Sequence, residues 1–400
     1  MSISKSVWHW AWYDFANSSY ILVFGALLLP VYFAKVLIQQ GYALSAWGTA
    51  NALATIIGVC LAIIIGRYSD KTNKWRLFRG TVICAFLGMI LLSFAVKFLP
   101  AAVYWLFVLT QAIFILSLSL SDSMLPWLAT KNESYAASGF AWGFGYLGGI
   151  ASLLIVMALQ KSLGDEYHPI VFLSTALFFI IFSWYAWRGL KPSFESTVET
   201  IPEKTIEQSI SPKEKIGLLA GYWLISEGIT VVLLFFTIYL GTELHFSAAK
   251  IGVVILLAQI LAFPATWYGG KLAQKYSILT LLGATIVCWG FTIAAMVLHT
   301  GFISLAVFII AGSLAIGNSQ SYLRGQYATL IKRKESGFQY GLYTIVAEAS
   351  VFVGPVIYGW ASDRLNSQKI PLVILYATMV VGYALVYFIT KKYTIQQKTD

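Results

Sequence analysis

Twelve apolar runs, each about as long as a bilayer core is thick, constrain this chain more than any other feature. They fall at roughly 8–36, 44–66, 77–98, 101–126, 136–160, 169–189, 215–240, 247–269, 278–298, 302–324, 337–361 and 370–390. A helix needs about 20 predominantly apolar residues to cross a hydrocarbon core about 30 Å thick. Lipid offers no partner to a backbone N–H or C=O, so each run is expected to be an α-helix. Composition points the same way. Of 400 residues, 58% are hydrophobic and 11% are charged, whereas a water-soluble domain carries about 25% charged residues. The expected fold class is all-α and integral to the membrane, with about twelve transmembrane helices.

The net charge of +10 does not point to nucleic acid, because the basic residues sit in loops between the apolar runs. With the N-terminus placed inside, 21 Lys and Arg residues fall on the inner side and 6 on the outer side. This bias predicts that both termini are cytoplasmic. The first apolar run is too long for the core of a cleavable signal, so it is expected to remain as the first helix. Cys60, Cys84 and Cys288 all lie inside apolar runs. They match neither a disulfide framework nor a metal spacing and are expected to be packing residues.

The long polar stretch 191–214 holds five Glu and three Pro residues and divides the runs six and six. The expected organisation is a six-helix bundle over 1–190, a cytoplasmic linker over 191–214 and a second six-helix bundle over 215–400. The halves echo each other. Lys131-Asn132-Glu133-Ser134 follows span four, and Arg333-Lys334-Glu335-Ser336 follows span ten, 202 residues later. Gly66 ends span two and Gly270 ends span eight, 204 residues later. Two matches at nearly one offset predict an internal duplication. Pseudo-symmetric six-helix halves related by an axis along the membrane normal are a transporter architecture.

The loop after span two reads Gly66-Arg67-Tyr68-Ser69-Asp70-Lys71-Thr72-Asn73-Lys74-Trp75-Arg76. It resembles the signature loop of the major facilitator superfamily, with Asn73 where that family usually has Gly. Asn also tolerates the left-handed turn, so the departure is mild. The resemblance implies that Asp70, with Arg76, belongs to a latch beside the start of span eleven. A carboxylate is favourable near a helix N-terminus and among basic groups. The second half has Gln274 in place of that Asp.

A narrower resemblance begins in span one. Trp10-Ala11-Trp12-Tyr13-Asp14-Phe15-Ala16-Asn17-Ser18-Ser19-Tyr20 is similar to the opening signature of the autophagy-related vacuolar effluxer family within that superfamily. Leu125-Pro126, Ser138-Gly139, Gly145-Tyr146-Leu147-Gly148-Gly149, and Gly317 to Tyr327 with Gln320 and Arg324, match its pattern further along. The resemblance implies the major facilitator fold and secondary transport of a small solute, an amino acid or a similar metabolite. It suits a multi-pass protein of a bacterial plasma membrane. Two departures stand out: Asp122 where the family tends to have Asn, and Ser226-Glu227-Gly228 where it tends to have Asn-Asp-Gly.

Few charges lie within the apolar runs, and each is expected to face protein, water or a partner. Glu227 and Glu348 are candidates for binding a proton or a substrate amine, with a structural hydrogen bond in the core as the competing account. Asp14, Asn17, Ser18, Ser19 and Gln320 are candidates for substrate contact, with interfacial solvation (Asp14) or helix–helix hydrogen bonding (the span-one polar groups) as the competing account. Asp122 and Arg324, also 202 residues apart, are candidates for a cytoplasmic gate, with interfacial solvation (Asp122) or binding of an anionic substrate (Arg324) as the competing account. The spacings of Gly139 with Gly143 and Gly145 with Gly149 predict close helix packing. His9, His168, His245 and His299 are dispersed, with no metal-ligand pair at i, i+4, and no phosphate-binding Gly-x4-Gly-Lys motif occurs. A cofactor-free, monomeric carrier of a small solute, with protons as a coupling ion, is therefore expected. A membrane-embedded enzyme or a non-transporting receptor is the alternative.

Overall fold

The structure, a computed structural model, describes residues 3–37, 39, 41, 46–164, 168–195, 210–242, 244–246, 248–298, 301–367 and 369–399. Among these residues twelve helices are long and apolar enough to cross a membrane. They are α1 (Lys5–Tyr32), α2 (Ala46–Ser69), α3 (Lys74–Phe98), α4 (Pro100–Leu128), α5 (Lys131–Leu163), α6 (Pro169–Phe194), α7 (Pro212–Thr237), α8 (Lys250–Leu272), α9 (Ile278–Leu298), α10 (Phe302–Leu330), α11 (Arg333–Leu365) and α12 (Lys369–Tyr393). The described residues contain no strand, and the fold is all-α. The expected linker, 191–214, lies largely outside the described residues. Its first residues continue the helix of α6 to Glu195, and Pro212 already begins α7.

Several helix ends differ from the apolar runs for one reason. Gly325, Gln326, Ala328 and Thr329 are polar or small, so the run ends at Arg324, yet α10 continues to Leu330. These residues pack against protein instead of water. Gln326 is buried and its Nε2 donates to Thr390 Oγ1 at 2.7 Å. Asn73 is not in a left-handed conformation. Its φ of −74° and ψ of 100° are extended, and its side chain caps α3 by accepting from the Arg76 N–H. An N-cap needs a short polar acceptor on extended backbone, not a left-handed turn. Cys60 and Cys84 are exposed on their helices rather than packed, because they fall on the outward stripe of α2 and α3.

The described chain forms two compact units. The first holds α1 to α4, α5 from Phe144 onward, α6, and residues 333–344 of α11. The second holds residues 131–143 of α5, α7 to α10, α11 from Ile345, and α12. Inside the first unit α2 packs on α4, α4 on α3, α3 on α6 and α6 on α1. Inside the second, α8 packs on α10, α10 on α9, α9 on α12 and α12 on α7. The order is the same when each helix is advanced by six, which is how a duplicated sequence folds.

Candidate functional site

The first unit places the Asp70 loop against the start of α11. Helix α2 ends at Ser69, and its close approach to α11 depends on glycine. A Cβ on Gly66 would strike the backbone of Gly337. With the backbones so near, Asp70 Oδ1 accepts from the Gly337 N–H at 2.7 Å and Oδ2 from the Phe338 N–H at 2.8 Å. These are two of the N–H groups that a helix start leaves without intrahelical partners, and the helix dipole favours a carboxylate there. Lys74, the first residue of α3, is only 4% exposed. Its Nζ lies 3.1 Å from Asp70 Oδ1, 3.3 Å from Ser123 Oγ and 3.0 Å from Ser336 Oγ. Arg76 is exposed, and its backbone N–H is held by Asn73. Arg333 Nε donates to the Pro126 carbonyl at 2.8 Å, and Trp127 Nε1 donates to Ser336 Oγ at 3.1 Å.

The same unit sets α1 on α4 through a polar ladder. Trp10 Nε1 donates to Ser121 O and Oγ, both at 3.0 Å, and Tyr13 Oη meets Ser117 Oγ at 2.6 Å. Asp14 and Asn17 are buried one turn apart, with Asn17 Nδ2 3.4 Å from Asp14 Oδ1. Ser18 Oγ donates to Asp14 O, and Ser19 Oγ to Ala16 O. Both hydroxyls thus serve backbone carbonyls of their own helix, and Ser19 Oγ also lies 3.4 Å from Thr175 O of α6. From Ser19 to Leu28 the turns of α1 widen to π-helical geometry, a form that often marks functional sites. Gly145 of α5 faces Asp14 O and Ser18 Oγ, and a Cβ on Gly148 would strike Phe15 O. Gly148 was not singled out by spacing. Gly149 is buried. Asp122 is half-buried at the last α-helical turn before the Ser123–Met124 break in α4.

In the second unit, Gly139 and Gly143 of α5 face a different helix. A Cβ on Gly139 would lie 2.8 Å from Gly270 Cα, and one on Gly143 2.9 Å from Phe263 O, both on α8. Arg324 is buried on α10 beside this contact. Its Nε donates to Ser138 Oγ at 3.0 Å, an Nη to Ser138 O at 3.1 Å, and its guanidinium lies over the Trp142 ring. Gln320, one turn earlier, is half-buried. Glu227 sits in the middle of α7, 5% exposed, packed against Gly354 of α11. Among the described residues its Oε2 has no hydrogen-bond partner. Glu348 is half-buried six residues before Gly354 on α11. Asp122 and Arg324 belong to different units.

The family model for the vacuole effluxers like Atg22 matches residues 45–399. The MFS-type transporter YxiO of Bacillus subtilis (strain 168) is 21% identical over 98% of this chain and 97% of its own length. Autophagy-related protein 22 of Eremothecium gossypii is 24% identical over 42% of this chain and 36% of its own length. Among solved structures, the major facilitator superfamily proton:xylose symporter XylE superposes with a TM-score of 0.75 at 13% identity, over 96% of this chain and 94% of that one. At that identity the likeness carries the fold alone. The family is one of effluxers by description, and the Bacillus relative is a transporter by name, which sets the membrane-enzyme alternative aside. The chain belongs to the Atg22-like vacuole effluxer family and is a secondary transporter with the major facilitator fold.

Proposed function

We propose that the chain moves a small solute, an amino acid or a similar metabolite, across a bacterial plasma membrane by alternating access, with Glu227 coupling the movement to protons. One observation carries the coupling: a buried carboxylate in the middle of α7 keeps an oxygen without a hydrogen-bond partner among the described residues. An ionised carboxylate so far from water is costly unless it receives a proton or a cation. Glu348 is the second group able to do this in the same unit. The Bacillus relative supports a bacterial setting, and membership of a family of effluxers supports export.

The reading includes a monomer with two six-helix halves, 1–190 and 215–400, joined by a cytoplasmic segment 191–214, with both termini cytoplasmic. The main test uses the purified chain in proteoliposomes. E227Q should abolish solute movement driven by a pH gradient and retain solute counterflow. Unchanged rate and pH dependence in that variant would remove Glu227 from coupling. If the wild-type chain lacks counterflow for every amino acid offered, the substrate class fails. Labelling of cysteines placed in 191–214 should proceed only from the cytoplasmic side. The gate stands or falls with D122R and D122R/R324D: the double variant should transport better than the single one.

A further inference from the structure

We propose that the α3–α6 pair forms a binding site for an anionic phospholipid, with Arg79 and Arg188 holding the phosphate. The two helices pack on each other, and one hydrogen bond fixes their register at one end. Trp75 Nε1 donates to the Trp187 carbonyl at 2.7 Å. Both arginines lie within about one helical turn of that bond. The Arg79 guanidinium lies 4.9 Å from the Trp75 ring centroid, and that of Arg188 lies 5.1 Å from the Trp184 ring centroid. Each is thus laid on an indole one turn before it, which fixes the flexible side chain before any ligand arrives.

The rest of the pair fits the same ligand. From Arg79 into the membrane, α3 exposes Ile83 and Leu87; from Arg188 in the same direction, α6 exposes Trp184, Ile181 and Leu177. These positions recur three or four residues apart, so each helix presents a continuous apolar stripe beneath its arginine. An acyl chain lies on such a stripe while its phosphate stays at the polar end. Helix α3 has no acidic residue, and the helix of α6 has one, Glu195, at its last position. Arg76 and Lys191, both exposed on the same helix ends, add to the positive field. Arg is suited to phosphate because its planar fork donates two parallel hydrogen bonds.

The test uses the full chain in nanodiscs of phosphatidylcholine doped with phosphatidylglycerol, and native mass spectrometry counts the lipids it retains. The wild-type chain should retain phosphatidylglycerol in preference to phosphatidylcholine. R79Q and R188Q should each lower that preference about fivefold, since one basic residue near an anionic surface contributes about 1 kcal/mol. The charge-matched variant K275Q, altered at an exposed lysine elsewhere, should keep the preference. Equal retention of both lipids by the wild type, or an equal loss in the charge-matched variant, would overturn the site. Displacement of the lipid by millimolar inorganic phosphate would assign the arginines to a free anion and overturn it as well.

Discussion

The ammonium of Lys74 has three N–H donors and three oxygens to receive them, from Asp70, Ser123 and Ser336. That saturation explains how a lysine can be 4% exposed without the penalty of an uncompensated buried charge. Removing one partner exposes the penalty. D70N is expected to destabilise the protein by about 3 kcal/mol, and K74M added to it should recover part of the loss. Thermal unfolding followed by tryptophan fluorescence checks both, and no recovery in the double variant would mean that the ion pair is not the cause. Arg324 poses a different requirement. Its Nε and an Nη meet the hydroxyl and carbonyl of one residue, Ser138, a fork that a lysine cannot reproduce. R324K should therefore unfold more easily, by about 1–3 kcal/mol, although its charge is kept. Asp70 was legible in the sequence because its loop motif is specific. Lys74 was not, because it stands two residues from Arg76 in the same basic loop and only burial separates them.

At the scale of the helix, glycines decide which elements touch. Helix α5 carries two sets that face different partners. Gly139 and Gly143 meet α8, and Gly145 and Gly148 meet α1. A Cβ on Gly148 would strike Phe15 O, whereas one on Gly80 of α3 would meet nothing within 4 Å. G148A should cost about 1–3 kcal/mol by overpacking, while G80A should be neutral or stabilising by about 0.5–1 kcal/mol through lower chain entropy. A fluorescence melt of the two variants side by side separates packing from helix propensity; equal melting temperatures would refute the close approach. The spacing of small residues was legible in the sequence, but the partner of each was not. The start of α7 shows the converse. Ser211 and Glu214 form a reciprocal cap: Glu214 Oε2 accepts from the Ser211 N–H at 3.0 Å, and the Glu214 N–H donates to Ser211 Oγ at 3.3 Å. This Ser-x-x-Glu pattern was available in the sequence and places the helix start before residue 215. S211A is expected to cost about 1 kcal/mol, read from the same melt, and Lys392, 2.8 Å from Glu214, should limit the loss.

At the scale of the whole chain, the repeat seen in short motifs recurs in packing. Gly66 approaches Gly337 in the first unit, and Gly270 approaches Tyr135 O in the second, so corresponding positions make corresponding contacts. Similar substitutions should then have similar consequences: G66V and G270V are each expected to lower the melting temperature and slow transport. A large effect of one with none of the other would mean that the two contacts are not equivalent. The number of helices, the lipid environment and the duplication were determined by the sequence alone. Each depends on quantities that run along the chain: the length of an apolar run, the absence of hydrogen-bonding partners in lipid, and a constant offset between motifs. Which polar residues are buried was decided only by the tertiary structure. Asp70 and the N–H of Gly337 are 267 residues apart, and Arg324 and Ser138 are 186 apart. No local pattern records such a distance, because burial and partnership arise only when separate helices are brought together in three dimensions.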